Sequence, residues 1–190
     1  MTSKHILVLK GSPRENGNSS LLADQIIAGA RAAGAEVEAF FLQSMNIHPC
    51  DACGACQATG DGSCTIEDDM QTLYPKLSRA DAIVIASPIY WFTMSAQTKL
   101  CIDRWYAFDG PQGNALSGKQ FAIALSYGDT DPVTSGAINA IRTFQDMCRY
   151  IKAGIVGMVY GSASGAGDIA RETALMERAY ELGEKLGAAT

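Results

Sequence analysis

The sequence has few of the residues on which several common kinds of function depend. Only two histidines, His5 and His48, occur among its 190 residues, and no Ser/His/Asp order typical of a catalytic triad is recognisable. The chain has neither the G-x-G-x-x-G fingerprint of dinucleotide-binding folds nor the G-x-x-x-x-G-K-[ST] loop of nucleotide-binding P-loops. These absences argue against triad hydrolysis and against the two best-defined nucleotide loops.

Charge and hydrophobicity exclude two further classes of partner. The net charge is −5, and no stripe of Lys or Arg interleaved with aromatic residues is present, which argues against a nucleic-acid-binding surface. The apolar runs are too short to span a bilayer, and residues 1–10 lack the layout of a signal peptide. We therefore expect a cytoplasmic protein without membrane contact, folded as one domain over residues 1–190.

Buried strands alternate with amphipathic helices along the whole chain. The apolar patterns predict strands over residues 6–9, 36–42, 82–86, 119–126 and 155–160. They predict helices over residues 19–33, 70–79, 95–106, 138–151 and 168–186. Five strands alternating with five helices, joined by right-handed crossovers, predict an α/β fold with a doubly wound parallel sheet.

Four polar residues have structural roles in this prediction. Asp68 and Asp69 precede the second helix, where carboxylates cap and stabilise the first turn. Arg104 is expected on the polar face of the third helix. His48, beside a cysteine-rich stretch, is expected to be a solvated loop residue.

The segment between the first strand and the first helix is rich in groups that bind anions. Residues 11–20, GSPRENGNSS, supply hydroxyls, amides, a guanidinium and two glycines just before a helix begins. The first N–H groups of a helix have no intrahelical partner and carry partial positive charge, so a phosphate placed there satisfies both. From these residues alone, an ordinary turn with Asn18 or Ser19 as N-cap is an equal alternative.

A second unusual segment follows the third predicted strand. Residues 87–95, SPIYWFTMS, place Tyr90, Trp91 and Phe92 where a loop normally faces water. A flat ligand would cover these rings, or else they fill the core beneath the loop or an interface between subunits. A third polar loop, residues 127–129 (YGD), leaves the fourth predicted strand.

A flavodoxin-type strand order, 2-1-3-4-5, places these three loops at one edge of the sheet. In that order the first and third strands flank the point where the strand order reverses, so the anion-binding and aromatic loops become neighbours. A ligand with a phosphate at one end and a flat ring at the other fits this arrangement. FMN is such a ligand.

Four of the six cysteines lie within fifteen residues, in a predicted cysteine-rich loop at 47–67. Cys50, Cys53, Cys56 and Cys64 have the spacing C-x2-C-x2-C-x7-C. Three thiolates at steps of three can approach three irons of one [4Fe–4S] cubane, and the fourth can close it. Zinc sites more often use two separated C-x-x-C pairs. Reduced thiols, or a redox-active pair such as Cys53 and Cys56, are the alternative.

Three segments resemble the NADPH-dependent FMN reductase superfamily and, within it, the iron–sulfur flavoprotein branch. They are GSPRENGNSS, PCDACGACQATGDGSCTIEDDM and ASPIYWFTMSAQTKLCIDR, which occur in that order. The resemblance implies a flavodoxin-like fold that holds FMN non-covalently and a [4Fe–4S] cluster on the four cysteines. It also implies a homodimer or homotetramer with the flavin near the subunit contact.

The resemblance implies binding roles for the three polar loops. The first loop would hold the phosphate of FMN, and the other two would border its isoalloxazine ring. The implied phosphate residues are Ser12, Arg14, Asn18, Ser19 and Ser20. The implied ring-binding residues are Pro88, Ile89, Tyr90, Trp91, Phe92, Tyr127, Gly128 and Asp129.

Three functions are consistent with the sequence. The first is an oxidoreductase in which NADPH or NADH reduces FMN, which then passes electrons to a quinone, another small molecule or a protein, with or without a cluster as relay. The second is an iron–sulfur flavoprotein that exchanges electrons with a ferredoxin-like partner and has no nicotinamide activity. The third is a binding module in which the cysteine loop holds a structural metal ion and the aromatic loop is an interaction surface.

Overall fold

A mostly parallel β-sheet forms the centre of the molecule, in a computed structural model that describes residues 3–59 and 62–188. The strands are β1 (His5–Lys10), β2 (Glu36–Phe41), β3 (Ala82–Tyr90), β4 (Thr93–Met94), β5 (Asp109–Gly110), β6 (Gly113–Asn114), β7 (Gln120–Tyr127) and β8 (Gly154–Ser162). Five of them pair in parallel in the order β2-β1-β3-β7-β8. The predicted order 2-1-3-4-5 is therefore confirmed.

Helices cover both faces of this sheet. They are α1 (Asn18–Ala32), α2 (Ala55–Thr59), α3 (Met70–Arg79), α4 (Ala96–Asp103), α5 (Ala137–Tyr150) and α6 (Thr173–Gly187). Helices α1 and α6 pack on one face, while α3, α4 and α5 pack on the other. Within the described part of the chain, none of these helices has the length and apolar character needed to cross a bilayer.

Strand β1 shows why the apolar runs of the sequence have no alternation. Ile6 and Val8 enter the core beneath α1 and α6, whereas Leu7 and Leu9 enter the core on the opposite face. Successive side chains of a strand point to opposite faces, so a strand covered on both faces needs apolar residues at every position.

Tertiary pairing changes several predicted element boundaries. Strand β3 continues four residues beyond the predicted 82–86, because it pairs with β7 as far as Pro88 and then forms an antiparallel hairpin with β4. Helix α4 is shorter than the predicted 95–106 and continues as a 3₁₀ turn over Arg104–Phe108. The predicted last helix is divided at Glu172, where ψ is 70°, into a 3₁₀ turn (Asp168–Arg171) and α6.

Two glycines allow α1 and α6 to pack with their backbones almost in contact. A Cβ at Gly29 would lie 2.0 Å from the carbonyl oxygen of Tyr180, and one at Gly183 would lie 2.1 Å from that of Ile26. Neither position tolerates a side chain unless the helices separate.

We expect Gly183→Ala to lower the free energy of unfolding by about 1–3 kcal/mol, because the added methyl group forces the two helices apart. Urea unfolding followed by circular dichroism measures this loss. Gly154→Ala is the matched control, since a Cβ there meets no atom within 4 Å. A Gly183→Ala variant as stable as the control would contradict the packing argument.

Candidate functional site

An open cavity of about 290 Å³ lies at the carboxyl edge of the sheet, where the connections after β1, β3 and β7 meet. The connection between β8 and α6 forms its fourth side. The lining residues are Ser12, Arg14, Gly17, Asn18, Pro88, Ile89, Tyr90, Ser126, Tyr127, Gly128, Ala163 and Ser164. The structure thus brings the three loops singled out in the sequence to one place.

The start of α1 presents unpaired backbone donors at this edge of the sheet. The first helical hydrogen bond runs from the N–H of Leu21 to the carbonyl of Gly17, so the N–H groups of the three residues between them have no partner within the helix. Gly17 occupies the N-cap without a side-chain bond, so the alternative of Asn18 or Ser19 as N-cap is wrong. A Cβ at Gly17 would lie 2.4 Å from Oγ of Ser12, so the loop needs glycine there.

The hydroxyl of Ser19 is buried at the start of α1 and has no hydrogen-bond partner within the described structure. Two other hydroxyls of this loop are paired: Oγ of Ser12 accepts from the N–H of Arg14 at 3.0 Å, and Oγ of Ser20 donates to the carbonyl of Arg14 at 3.3 Å. A buried hydroxyl without a partner costs about 1–3 kcal/mol. Such a group at a helix N-terminus suits an anionic ligand.

The side chain of Asn18 is used within the protein. Its Nδ2 donates to the carbonyls of Ala163 (3.3 Å) and Gly165 (2.9 Å), and its Oδ1 accepts from the N–H of Ile169 at 3.2 Å. These bonds fix the β8–α6 connection against the start of α1. These bonds use only the side chain of Asn18, so its backbone N–H is the donor that this residue can offer to a ligand.

A buried cluster of hydroxyls joins the first loop to the β3–β4 hairpin. Oγ of Ser95 donates to the carbonyl of Gly11 at 2.6 Å, and Oγ of Ser87 accepts from the N–H of Ser95 at 2.9 Å. The same Ser95 caps α4 by accepting from the N–H of Thr98 at 3.3 Å. These positioning residues were not predicted from the sequence, although a serine at the start of a predicted helix is a typical N-cap signal.

The turn between β3 and β4 is made by two aromatic residues in an unfavourable backbone conformation. Trp91 (φ +50°) and Phe92 (φ +70°) both lie in the left-handed region, as the central residues of a type I′ turn do. Helix α5 holds this turn: Nδ2 of Asn139 donates to the carbonyl of Phe92 at 3.2 Å, and Gly136 allows the Phe92 backbone to approach closely. A strained turn that is held from outside is typical of a functional site.

The three rings of this hairpin differ in position. Tyr90 lines the cavity, whereas Trp91 and Phe92 are not among the residues that line it. Trp91 is 91% exposed and contacts Phe92 edge to face, with ring centroids 5.9 Å apart. The alternative in which these rings fill the core beneath the loop is therefore wrong for Trp91.

The third loop lines the cavity with Tyr127 and Gly128, whereas Asp129 is not part of the lining. Burial raises the pKa of Tyr127 above its ordinary value, with the neighbouring Tyr160 and Asp131 acting in the same direction, so its phenol stays protonated at neutral pH. The carbonyl of Asp129 accepts from Oγ of Ser162.

The side of the cavity formed by Ser126, Ala163 and Ser164 was not predicted from the sequence. The available signal was another small, polar, glycine-containing loop after the fifth strand, at the same carboxyl edge.

The four cysteines of the predicted cluster motif are not gathered around one point. Cys50 and Cys53 are exposed, Cys56 is buried, and Cys64 is partly buried. Across residues 3–59 and 62–188, no three His, Cys, Asp or Glu side chains lie close enough to hold a metal ion. In this conformation the segment does not form the site of a cubane.

Arg104 is fully buried, which contradicts its predicted place on a polar face. It forms an ion pair with Asp68, whose side chain is equally buried. Asp68 also caps the start of α3, as expected, by accepting from the N–H of Met70 at 3.0 Å. Asp69 occupies the N-cap position of α3 but makes no capping bond there.

The chain is similar to proteins of one flavin-dependent family. A family model described as NADPH-dependent FMN reductase matches residues 5–168. An iron–sulfur flavoprotein of Archaeoglobus fulgidus is 34% identical over 184 residues, which cover 94% of this chain and 77% of that protein. A Bacillus subtilis protein named as an NAD(P)H-dependent FMN-containing oxidoreductase is 29% identical over 182 residues, covering 93% of this chain and 95% of its own length.

A solved structure supports the same fold. An NAD(P)H:quinone oxidoreductase from Methanothermobacter marburgensis superposes with a TM-score of 0.77 at 20% sequence identity, over 100% of this chain and 98% of that one. At this identity the likeness shows a shared flavodoxin-like architecture, in agreement with the strand order described above.

We expect Trp91→Asn to raise the free energy of unfolding by about 0.5–1 kcal/mol, because asparagine adopts the left-handed conformation at lower cost and the exposed ring buries little surface. Trp91→Val is the matched control. A β-branched residue is disfavoured at positive φ, so this variant is expected to be less stable than the wild type. Chemical denaturation of both variants checks the order, and an Asn variant no more stable than the Val variant would contradict it.

Proposed function

Because this chain belongs to the NADPH-dependent FMN reductase family, we propose that its cavity holds FMN, with the phosphate at the start of α1 and the ring between the ends of β3 and β7. Family membership makes the protein an NAD(P)H-dependent FMN-containing oxidoreductase. The position of the cavity, where the strand order reverses between β1 and β3, is where doubly wound sheets bind such ligands.

The buried, unpartnered hydroxyl of Ser19 is the observation that carries this proposal. A phosphate oxygen is the acceptor that this hydroxyl lacks. The unpaired N–H groups at the start of α1 add donors and a partial positive charge for the same group. Ser12, Arg14 and Gly17 line the same end of the cavity. Ser19 and Ser20 are not among the lining residues, but the lining groups and the start of α1 together supply the kinds of donor that bind a phosphate.

The ring end of the proposed site is formed by Pro88, Ile89 and Tyr90 on one side and by Tyr127 and Gly128 on the other. FMN, when bound, supplies the redox chemistry by accepting a hydride from reduced nicotinamide and releasing electrons to an acceptor. The protein therefore needs to orient the cofactor and exclude water. The ionisable side chains among the described lining residues are Arg14, Tyr90 and Tyr127, which suits this role.

We assign a quinone or another small planar molecule as the electron acceptor. Trp91 and Phe92 present large exposed rings and directly follow Tyr90, which lines the cavity. Flat aromatic surfaces bind planar molecules through stacking. The alternative acceptor is a ferredoxin-like protein, in which case the flavin exchanges electrons with that partner instead of with nicotinamide.

A second copy of this chain is the proposed cover for the exposed ring of Trp91. A tryptophan that is 91% exposed carries a solvation cost that an interface removes. We therefore propose that the protein assembles as a homodimer or homotetramer. The cytoplasm is the proposed location, as expected from the sequence. Sedimentation at several protein concentrations, with Trp91→Asn as the comparison, measures the assembly.

The cysteine segment is a second proposed redox centre. Its support is the spacing of Cys50, Cys53, Cys56 and Cys64 and the similarity to a protein named as an iron–sulfur flavoprotein. Since these cysteines are not gathered here, a [4Fe–4S] cluster requires Cys50, Cys53, Cys56 and Cys64 to move together. Iron and acid-labile sulfide analysis of protein purified without oxygen tests the proposal: about four irons per chain support it, and less than about one rejects it.

We expect Ser19→Ala to raise the dissociation constant of FMN about tenfold, because the phosphate loses one buried hydrogen-bond donor. The FMN-free variant should be at least as stable as wild type, because the substitution removes an unpaired buried hydroxyl. Titration of FMN fluorescence measures the affinity. Ser44→Ala, which removes an exposed hydroxyl bonded to Phe41, is the control and should leave FMN affinity unchanged.

We expect NADH or NADPH to bleach the flavin absorption of FMN-loaded protein under anaerobic conditions, and an added quinone to restore it. Stopped-flow absorbance measures both half-reactions. Rapid reduction by reduced ferredoxin with no reduction by either nicotinamide would replace this function by that of an electron carrier. Protein that takes up no FMN would support the binding-module alternative.

A further inference from the structure

The aromatic turn, which consists of Trp91 and Phe92 between β3 and β4, has a backbone conformation that neither residue favours. Strands β3 and β4 pair directly on either side of it, so these two residues alone reverse the chain. Both have positive φ, which costs a residue with a Cβ more than it costs glycine, and turns of this type usually contain Asn-Gly. Contacts from outside the hairpin are therefore needed to keep the turn in this shape.

Gly136, the N-cap of α5, lies against the backbone of the turn. A Cβ at Gly136 would lie 2.6 Å from both Cα and Cβ of Phe92 and 2.8 Å from its Cδ1. Because Cα and Cβ cannot rotate aside, the turn itself would have to move to make room for a side chain. Gly136 is buried and has a φ of +75°. The absence of a side chain at this position thus lets the turn rest directly on α5.

Asn139 adds a hydrogen bond to the same contact. Its Nδ2 donates to the carbonyl of Phe92 at 3.2 Å. Its own N–H donates to the carbonyl of Gly136 at 3.0 Å, so both residues belong to the first turn of α5. The bond to Phe92 is exposed, where water competes with it, so the buried contact at Gly136 is the stronger of the two constraints.

The position of Gly136 is fixed from both sides. Before it, Oδ1 of Asp131 accepts from the N–H groups of Val133 (2.8 Å) and Thr134 (3.0 Å). The N–H of Gly136 then donates to the carbonyl of Val133 at 3.0 Å. After it, α5 enters the core through buried residues that include Phe144. The surface on which the turn rests is therefore itself well anchored.

The two rings contribute little to holding the turn. Trp91 is 91% exposed and Phe92 is 53% exposed. Among the residues that the structure describes, neither ring contacts an aromatic ring other than that of its neighbour. An exposed ring buries little apolar surface, so burial gives it little reason to keep one position. The contacts with Gly136 and Asn139 are thus what holds the tip of the hairpin.

We propose that Gly136 is a positioning residue for the binding of the electron acceptor. It seats the aromatic turn on α5, so that Trp91 and Phe92, which directly follow the cavity-lining Tyr90, present their rings to a planar acceptor from one fixed place. Asn139 supports the same placement. The seating of the turn does not depend on FMN, whereas its use in binding an acceptor rests on the function proposed above.

Gly136→Ala tests this role, with Gly118→Ala as the matched control. Gly118 has a φ of +78°, so an alanine there meets the same backbone cost, but a Cβ at Gly118 has no atom within 4 Å. A difference between the two variants therefore reports the contact with Phe92, and not the loss of a glycine at positive φ.

Backbone order parameters from NMR relaxation of FMN-free protein measure the seating directly. We expect values near about 0.85 for the amides of Trp91 and Phe92 in wild type and Gly118→Ala, and below about 0.6 in Gly136→Ala. Order parameters in Gly136→Ala as high as those in the control would overturn the proposal.

Kinetics of FMN-loaded protein test the role in acceptor binding. In Gly136→Ala we expect the KM for 1,4-naphthoquinone to rise about fivefold relative to Gly118→Ala, because a mobile turn stacks less well on the acceptor. The dissociation constant of FMN and the anaerobic rate of flavin reduction by nicotinamide should stay within about twofold of the control. An equal KM in both variants, or equal losses in the nicotinamide and quinone half-reactions, would overturn the proposal.

Asn139→Asp is a second variant, which is expected to fold normally because a carboxylate is favourable in the first turn of a helix. It keeps the size of the side chain but loses the donor to Phe92, so the KM for the quinone should rise about two- to threefold without a loss of stability. If Gly136→Ala does not fold, this variant decides the proposal, and a KM equal to that of wild type would overturn it.

The two readouts separate this proposal from the proposed function. Wild-type protein that reduces no quinone would reject the proposed acceptor and, with it, the role of Gly136 in acceptor binding. The order parameters of FMN-free protein would still decide whether Gly136 holds the aromatic turn.

Discussion

The hydroxyl of Ser95 donates to the carbonyl of Gly11 across 2.6 Å, and the shape of the candidate site depends on this contact. It joins the loop after β1 directly to the residue that follows the β3–β4 hairpin. The approach is so close that a Cβ at Gly11 would lie 1.8 Å from Oγ1 of Thr98. Because Ser95 also caps α4, one side chain sets the relative positions of the phosphate end, the aromatic hairpin and the helix between them.

The five parallel strands and the sheet edge that carries the cavity could be predicted from the sequence because both follow from local pattern, whereas the strand order was taken from the flavodoxin-type arrangement and is confirmed. Unbroken apolar runs such as 6–9 identify strands covered on both faces, and the connections after parallel strands share one edge. The burial of Arg104 could not be predicted in this way. Its position near the end of a helix is compatible with exposure, and the partners that compensate its burial, Asp68 and the carbonyls of His48 and Ile66, lie 36 to 56 residues earlier in the chain. The turn formed by Trp91 and Phe92 is held by α5 through the carbonyl of Phe92, a contact that no local pattern contains.

Three unfavourable local features lie at or beside the cavity. An unpaired buried hydroxyl at Ser19 and two aromatic residues at positive φ are each unfavourable alone. They persist because the surrounding structure is tightly determined: residues 121–125 of β7 are fully buried, and α1 lies against α6 at backbone distance. Unfavourable features of this kind are typical of binding sites in natural proteins.

Helix α4 also limits how this architecture can change in evolution. Each residue of a helix advances the direction of the next side chain by about 100°. A single insertion or deletion between Ser95 and Arg104 would therefore turn the guanidinium away from Asp68, even though the sheet, the cavity and the cysteines were all unchanged. We expect homologous chains to vary freely in the length of the cysteine segment and hardly at all in the length of α4. The positions at which insertions are tolerated thus show that α4 sets the distance between Ser95 and Arg104.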